Sequence, residues 1–109
     1  MSTDEAPRTF TGRTERREIA LKRALFVSFA DGARTFWHTH DGVQMLVVTE
    51  GKGWFQYWEE PKFELAVGDV ISVREGMKHW HGAQRGEDMT HLATLNGATH
   101  WLEEVDDSD

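Results

Sequence analysis

The six histidines of this 109-residue chain matter more for their spacing than for their number. His38 and His40 flank Thr39, and His79 and His81 flank Trp80. In a strand, residues two apart face the same side with Cα atoms about 6.5–7 Å apart. Each pair can therefore turn two imidazoles toward one ion, at about 2.0–2.2 Å per nitrogen. Gln44 follows His40 across a tight Asp41-Gly42 connection, close enough to bring its amide oxygen to the same spot. A fifth histidine, His91, lies in the alternating run Met89–Ala93. Two H-x-H pairs and a strand histidine together point to a metal or acid–base site. His81 shares the face of His79 but sits one pleat further along, which casts it, with His91, as a general acid or base. His100, beside Trp101 near an acidic tail, is read as a surface residue.

These side chains need strands to aim them. Ile19, Leu21, Leu25, Val27 and Phe29 share one parity, an alternation that favours a strand. Further β-branched and aromatic runs follow at Arg34–His38, Val43–Thr49, Gly53–Trp58, Phe63–Leu65, Val70–Val73, His79–His81 and Met89–Leu95. Turn signals separate them at Asp31-Gly32, Asp41-Gly42, Glu50-Gly51, Glu60-Pro61, Gly68-Asp69 and Glu75-Gly76. Short strands at this spacing indicate an all-β sandwich or barrel, with a short helical turn expected at Thr99–Val105. Trp37 and Trp80 sit beside or between the paired histidines and should face away from the interior, under the N-terminal arm or at a subunit interface. Gln56, on one face with Trp54 and Trp58, is a candidate ligand contact. Arg34 is a candidate for an anionic substrate at the barrel mouth, while Arg74 and Lys78 read as solvated loop charges.

Composition narrows the class. The chain is long enough for one domain, and five Trp and six Phe can fill its core. No apolar run approaches a membrane span, and no apolar leader stands at the N-terminus. With no cysteine, disulfides, thiolate metal sites and a Cys nucleophile are excluded. The net charge of −7 and the lack of a basic stripe argue against nucleic acid. We expect a cytoplasmic protein with a flexible arm at 1–12, a barrel at 13–105 and an acidic tail at 106–109.

The spacing also carries a family resemblance. Gly32, five residues, His38-Thr39-His40, three residues, Gln44, six residues and Gly51 resemble the first cupin motif, with Gln where Glu is usual. Gly68, five residues, Arg74-Glu75-Gly76, two residues and His79 resemble the second, with Arg where Pro is usual and no Asn after His79. The segments GARTFWHTH, GKGWFQ, GDVISV, GMKHWHGA and MTHLA are similar to the small manganese-dependent cupins that include bacterial hydroxynitrile lyases. The resemblance implies a small single-domain cupin barrel (a double-stranded β-helix, or jelly roll) with His38, His40, Gln44 and His79 as metal ligands. The N-terminal arm is shorter than in those lyases, and Asp-Gly-Val separates His40 from Gln44.

Three imidazoles and a neutral amide leave a divalent ion its full charge, favouring Lewis acidity over tight binding. Manganese is the expected ion, with Fe, Zn or Ni as alternatives. The resemblance implies lyase chemistry on a small hydroxyl or carbonyl substrate, in a homodimer or higher homo-oligomer. An iron-dependent oxygenase and a non-catalytic small-ligand-binding module are the competing readings.

Overall fold

Hydrophobic alternation along the chain is realised as eleven strands: β1 (Phe10–Thr11), β2 (Thr14–Ile19), β3 (Ala24–Phe29), β4 (Arg34–Thr35), β5 (His38–His40), β6 (Gln44–Tyr57), β7 (Phe63–Ala66), β8 (Val70–Val73), β9 (His79–Ala83), β10 (Met89–Thr94) and β11 (Thr99–Trp101). The computed structural model describes residues 9–19, 24–94 and 96–106, and among these every regular element is a strand. One antiparallel sheet runs β2-β3-β10-β6-β8. The other runs β1-β4-β9-β6-β7, with β5 joining β9 to β11. Strand β6 serves both sheets, its first half pairing with β8 and β10 and its second with β7 and β9, so the two sheets nearly close into a barrel.

Leu25, Val27 and Phe29 of β3 alternate buried with half-buried neighbours, as the sequence pattern requires. They meet Leu46, Val48, Phe55, Val73 and Met89 in the main core. A smaller cluster of Trp37, Trp80 and Val105 lies on the outer side of β9. Thus β9 is buried on both faces, which explains why all five of its residues are inaccessible.

Several boundaries differ from the expectations. The expected single strand before Asp31 is a hairpin of β2 and β3, and Leu21 lies outside the described residues. Residues 10–11, placed in the arm, are strand β1 paired with β4, and Phe10 packs on Phe29. Residues 1–8 and 107–109, most of the arm and most of the tail, lie outside the described residues. No helical turn forms at Thr99–Val105, because β11 pairs with β5 and leaves residues 102–105 irregular. Glu50-Gly51 does not turn either. The chain runs straight through as β6, and a register shift against β10 at Thr90/His91 absorbs the bend between sheets.

Gly51 makes that passage feasible. Its φ is 79°, and a Cβ there would collide with the Asp88 carbonyl oxygen, far inside van der Waals contact. Gly51→Ala is expected to cost about 3 kcal/mol or more, from left-handed strain plus backbone collision. Urea denaturation should show a lower midpoint at constant m. An unchanged midpoint would refute this reading of the crossover.

Candidate metal centre

Strand pairing alone brings the two H-x-H motifs together. In β5–β9, His38 stands directly opposite His79. Period two then puts His40 and His81 on the same inward face. Behind them, Tyr57 opposes His79 and Phe55 opposes His81 across β6–β9. His91 comes from β10, registered with Val27 on one side and Val48 on the other. Gln44 is the first residue of β6. His38, His40, Gln44, His79, His81 and His91 are all buried, and among the histidines only His100 stays outside, where it bonds exposed Asp41 at 2.9 Å.

The rings are packed tightly. His38 lies 4.2 Å from His79 and 4.9 Å from His40 between centroids, and His40 lies 5.1 Å from His79. His81 is further away, 5.4 Å from His38 and 5.8 Å from His79. His38, His79 and His81 can nonetheless offer three ligand atoms within 4.8 Å of one another. Phe55 stacks on His79 at 5.5 Å and 13°, giving the site an apolar back wall.

Hydrogen bonds fix which nitrogen faces the centre. A backbone carbonyl can only accept, so the His38 Nδ1–H donates to Phe36 and the His79 Nδ1–H to Met77, each at 2.8 Å. Both rings therefore carry their lone pair on Nε2. His40 Nδ1 meets Thr99 Oγ1 at 3.0 Å. The Gln44 amide donates to the Thr94 carbonyl at 3.3 Å, which leaves its Oε1 uncommitted. His81 differs, because its Nδ1 faces His91 Nε2 at 3.1 Å. A ring partner can give or take the shared proton, whereas a carbonyl cannot.

Five buried polar atoms end without a partner: His40 Nε2, Gln44 Oε1, His79 Nε2, His81 Nε2 and His91 Nδ1. An unpaired buried polar atom costs roughly 1–3 kcal/mol, so the four on His40, Gln44, His79 and His81 call for a common explanation. The donor set of neutral nitrogens and an amide oxygen suits a borderline divalent cation. The residues fit a metal ion, and a three-histidine group able to hold one is present.

Burial also sets the protonation states. Desolvation pushes His79 and His91 down to about 4. It holds His38 and His81 well below the usual imidazole value, with neighbouring rings adding to the effect. His40 is lowered by the same desolvation, with the Gln44 amide opposing it. All five are neutral at pH 7, as ligands and bases must be. Since the folded values lie below the unfolded value of about 6.5, the unfolded chain takes up protons first on acidification. The stabilisation is complete above about pH 6.5 and is lost toward pH 4, on the order of 3 kcal/mol each for His79 and His91. Metal-stripped protein should lose roughly 15 °C or more in Tm between pH 7.5 and 5. A flat Tm over that interval would contradict the buried neutral cluster.

A cavity of about 80 Å³ adjoins the rings, lined by His38, His40, Gln44, His81 and His91 among others. Neither expected substrate contact reaches it. Gln56 stands on the outer face, its Oε1 accepting from Trp80 Nε1 at 2.7 Å and its amide donating to the Glu60 carbonyl. Register decides this, because Gln56 opposes outward Trp80 while Phe55 and Tyr57 oppose the inward histidines. Arg34 is outward too, 5.3 Å over the Trp80 ring and bonded to the Val105 carbonyl. Trp37 and Trp80 do face outward, but their cover is the C-terminal segment. Trp37 exchanges backbone hydrogen bonds with Leu102 and Glu103, and Val105 packs on both rings. Lys78 is not simply solvated, since it pairs with Glu103 at 2.8 Å and lies 3.4 Å over Trp58. The sequence reading passed over Arg16, which lines the cavity from β2.

Residues 25–95 match the cupin domain family. The chain belongs to the cupins. This cupin is 47% identical over 92 residues to the (R)-mandelonitrile lyase of Granulicella tundricola, covering 81% of the chain and 70% of that protein. It superposes on a cupin-like protein from Thermotoga maritima with TM-score 0.89 at 33% identity, over 99% of the chain and 86% of the other. A DMSP lyase of Ruegeria pomeroyi shares the fold at TM-score 0.65 and 19% identity, over 72% of this cupin and 42% of that chain.

Proposed function

We propose that this cupin is a manganese-dependent lyase that cleaves a small cyanohydrin into a carbonyl compound and hydrogen cyanide. Unpartnered buried atoms on His40, Gln44, His79 and His81, beside a three-histidine group able to hold an ion, carry the reading. The 47% identity to an (R)-mandelonitrile lyase supplies the reaction class. The ion's ligands are His38, His40, Gln44 and His79. Two observations favour His40 over His81 as the third imidazole. Its ring lies nearer the other two, and its Nδ1 is held by a hydroxyl, as second-shell anchoring of a ligand requires. When bound, the ion supplies Lewis acidity that lowers the cost of negative charge on the substrate oxygen.

The chain's own residues handle the proton. With the shared hydrogen on His81 Nδ1 and donated to His91, His81 Nε2 is a lone pair facing the cavity. That nitrogen takes the hydroxyl proton as the carbonyl forms and the carbon–cyanide bond breaks with its electron pair on cyanide. The same Nε2–H then protonates the departing cyanide, so the hydroxyl proton leaves as hydrogen cyanide and the pair is reset. His91 keeps His81 in the basic tautomer and shares the transient positive charge.

The test is cleavage of (R)-mandelonitrile by manganese-loaded protein with and without oxygen. Equal benzaldehyde release in both supports the lyase. Release that requires oxygen, or none above the metal-free background, would overturn it.

A further inference from the structure

Arg16 is the one permanently charged side chain among the thirteen that line the imidazole cavity, and the one that is exposed. Nine of the others are buried, while Phe10, Thr99 and Trp101 are half-buried. The entrance is therefore framed by Arg16 and these three, and the floor is neutral imidazole. The placement of Arg16 follows from register. In β2, Arg16 opposes inward Val27, whereas Arg17 opposes outward Phe26 and lies 4.8 Å over its ring. One arginine is thus seated on an aromatic face. The other lines the cavity and has no hydrogen-bond or ion-pair partner among the described residues.

The cavity of about 80 Å³ is well below the roughly 300–1,000 Å³ of a typical ligand pocket. A substrate whose reacting carbon meets the floor must therefore extend its far end to the rim. Phe10 and Trp101, 5.6 Å apart between ring centroids, form an apolar wall there. We infer that the substrate carries a carboxylate at the end remote from the reacting carbon, and that Arg16 binds it. This assignment rests on the lyase reading for what happens at the floor, but the recognition at the rim is a separate property. A guanidinium suits a carboxylate because its planar fork can donate two parallel hydrogen bonds. The competing role for an inward charge on an edge strand is to discourage pairing with other chains, and that role involves no choice between substrates.

The test compares mandelonitrile with the cyanohydrin of 4-formylbenzoate in wild type, Arg16→Gln and Arg16→Lys. At low salt the wild type should favour the carboxylate substrate by about tenfold in kcat/KM. Arg16→Gln should bring the ratio close to one, through KM, with Arg16→Lys in between. About 0.5 M NaCl should erode the wild-type preference. Independently of turnover, NMR titration of chelator-stripped protein should show benzoate binding several-fold tighter than benzamide in the wild type, and the two binding with equal affinity in Arg16→Gln. The inference is overturned if the wild type shows neither preference, or if either survives in Arg16→Gln. A change confined to aggregation would assign Arg16 to edge protection and overturn it as well. Should neither cyanohydrin be cleaved while the Arg16-dependent benzoate preference persists, the lyase reading fails and the rim site stands.

Discussion

Exchanging His79 for Ala is expected to strip this cupin of its metal. The ring is fully buried and opposite His38, with its Nε2 left free for the centre by the Met77 carbonyl. Loss of a second-shell partner already costs a site about 10–100-fold in affinity, so loss of a ligand should cost at least 100-fold. Elemental analysis after dialysis should fall from near one ion per chain to about a tenth or less, and cyanohydrin cleavage should fall with it. Millimolar manganese should restore part of both. Full metal content in His79→Ala would remove the residue from the ligand set.

The second large effect belongs to His81. His81→Ala should lower kcat by about 10³-fold, within the range for a positioned acid–base group, and leave metal content intact. His91→Ala should cost less, because His91 touches His81 Nδ1 at 3.1 Å and acts through it. The two should not be additive, since removing His81 leaves His91 nothing to orient. A simultaneous loss of metal in His81→Ala would instead make it the third ligand, the arrangement that the grouping of His38, His79 and His81 also allows. Unchanged turnover would end the acid–base assignment.

The parts of this molecule that could be read beforehand are those governed by short-range parity. His38-Thr39-His40 and His79-Trp80-His81 each declare that two imidazoles share a face, and strand pairing puts those faces opposite one another. Turn glycines marked most strand ends, yet Glu50-Gly51 shows the limit. A left-handed glycine permits either a hairpin or a crossing strand, and only the neighbouring Asp88 backbone makes it the latter. Gln56 failed for a related reason. Trp54, Gln56 and Trp58 were correctly grouped, but parity within a strand does not say which face is interior. That is decided by the partner strand, where Gln56 meets Trp80 rather than His79. Arg34 was misplaced in the same way, whereas Arg16 had a signal. Had Thr14–Ile19 been taken as a strand paired with β3, the arginine opposite inward Val27 would have been the one at the cavity.

All of the proposed chemistry depends on one divalent ion shared by side chains from β5, β6 and β9. Anomalous diffraction from crystals of the manganese-loaded protein tests it most directly. A single strong peak is expected inside the barrel, within bonding distance of His38, His40 and His79 Nε2 and Gln44 Oε1, with His81 outside that distance. An empty interior, or manganese found only at surface groups such as Asp41 and His100, would contradict it.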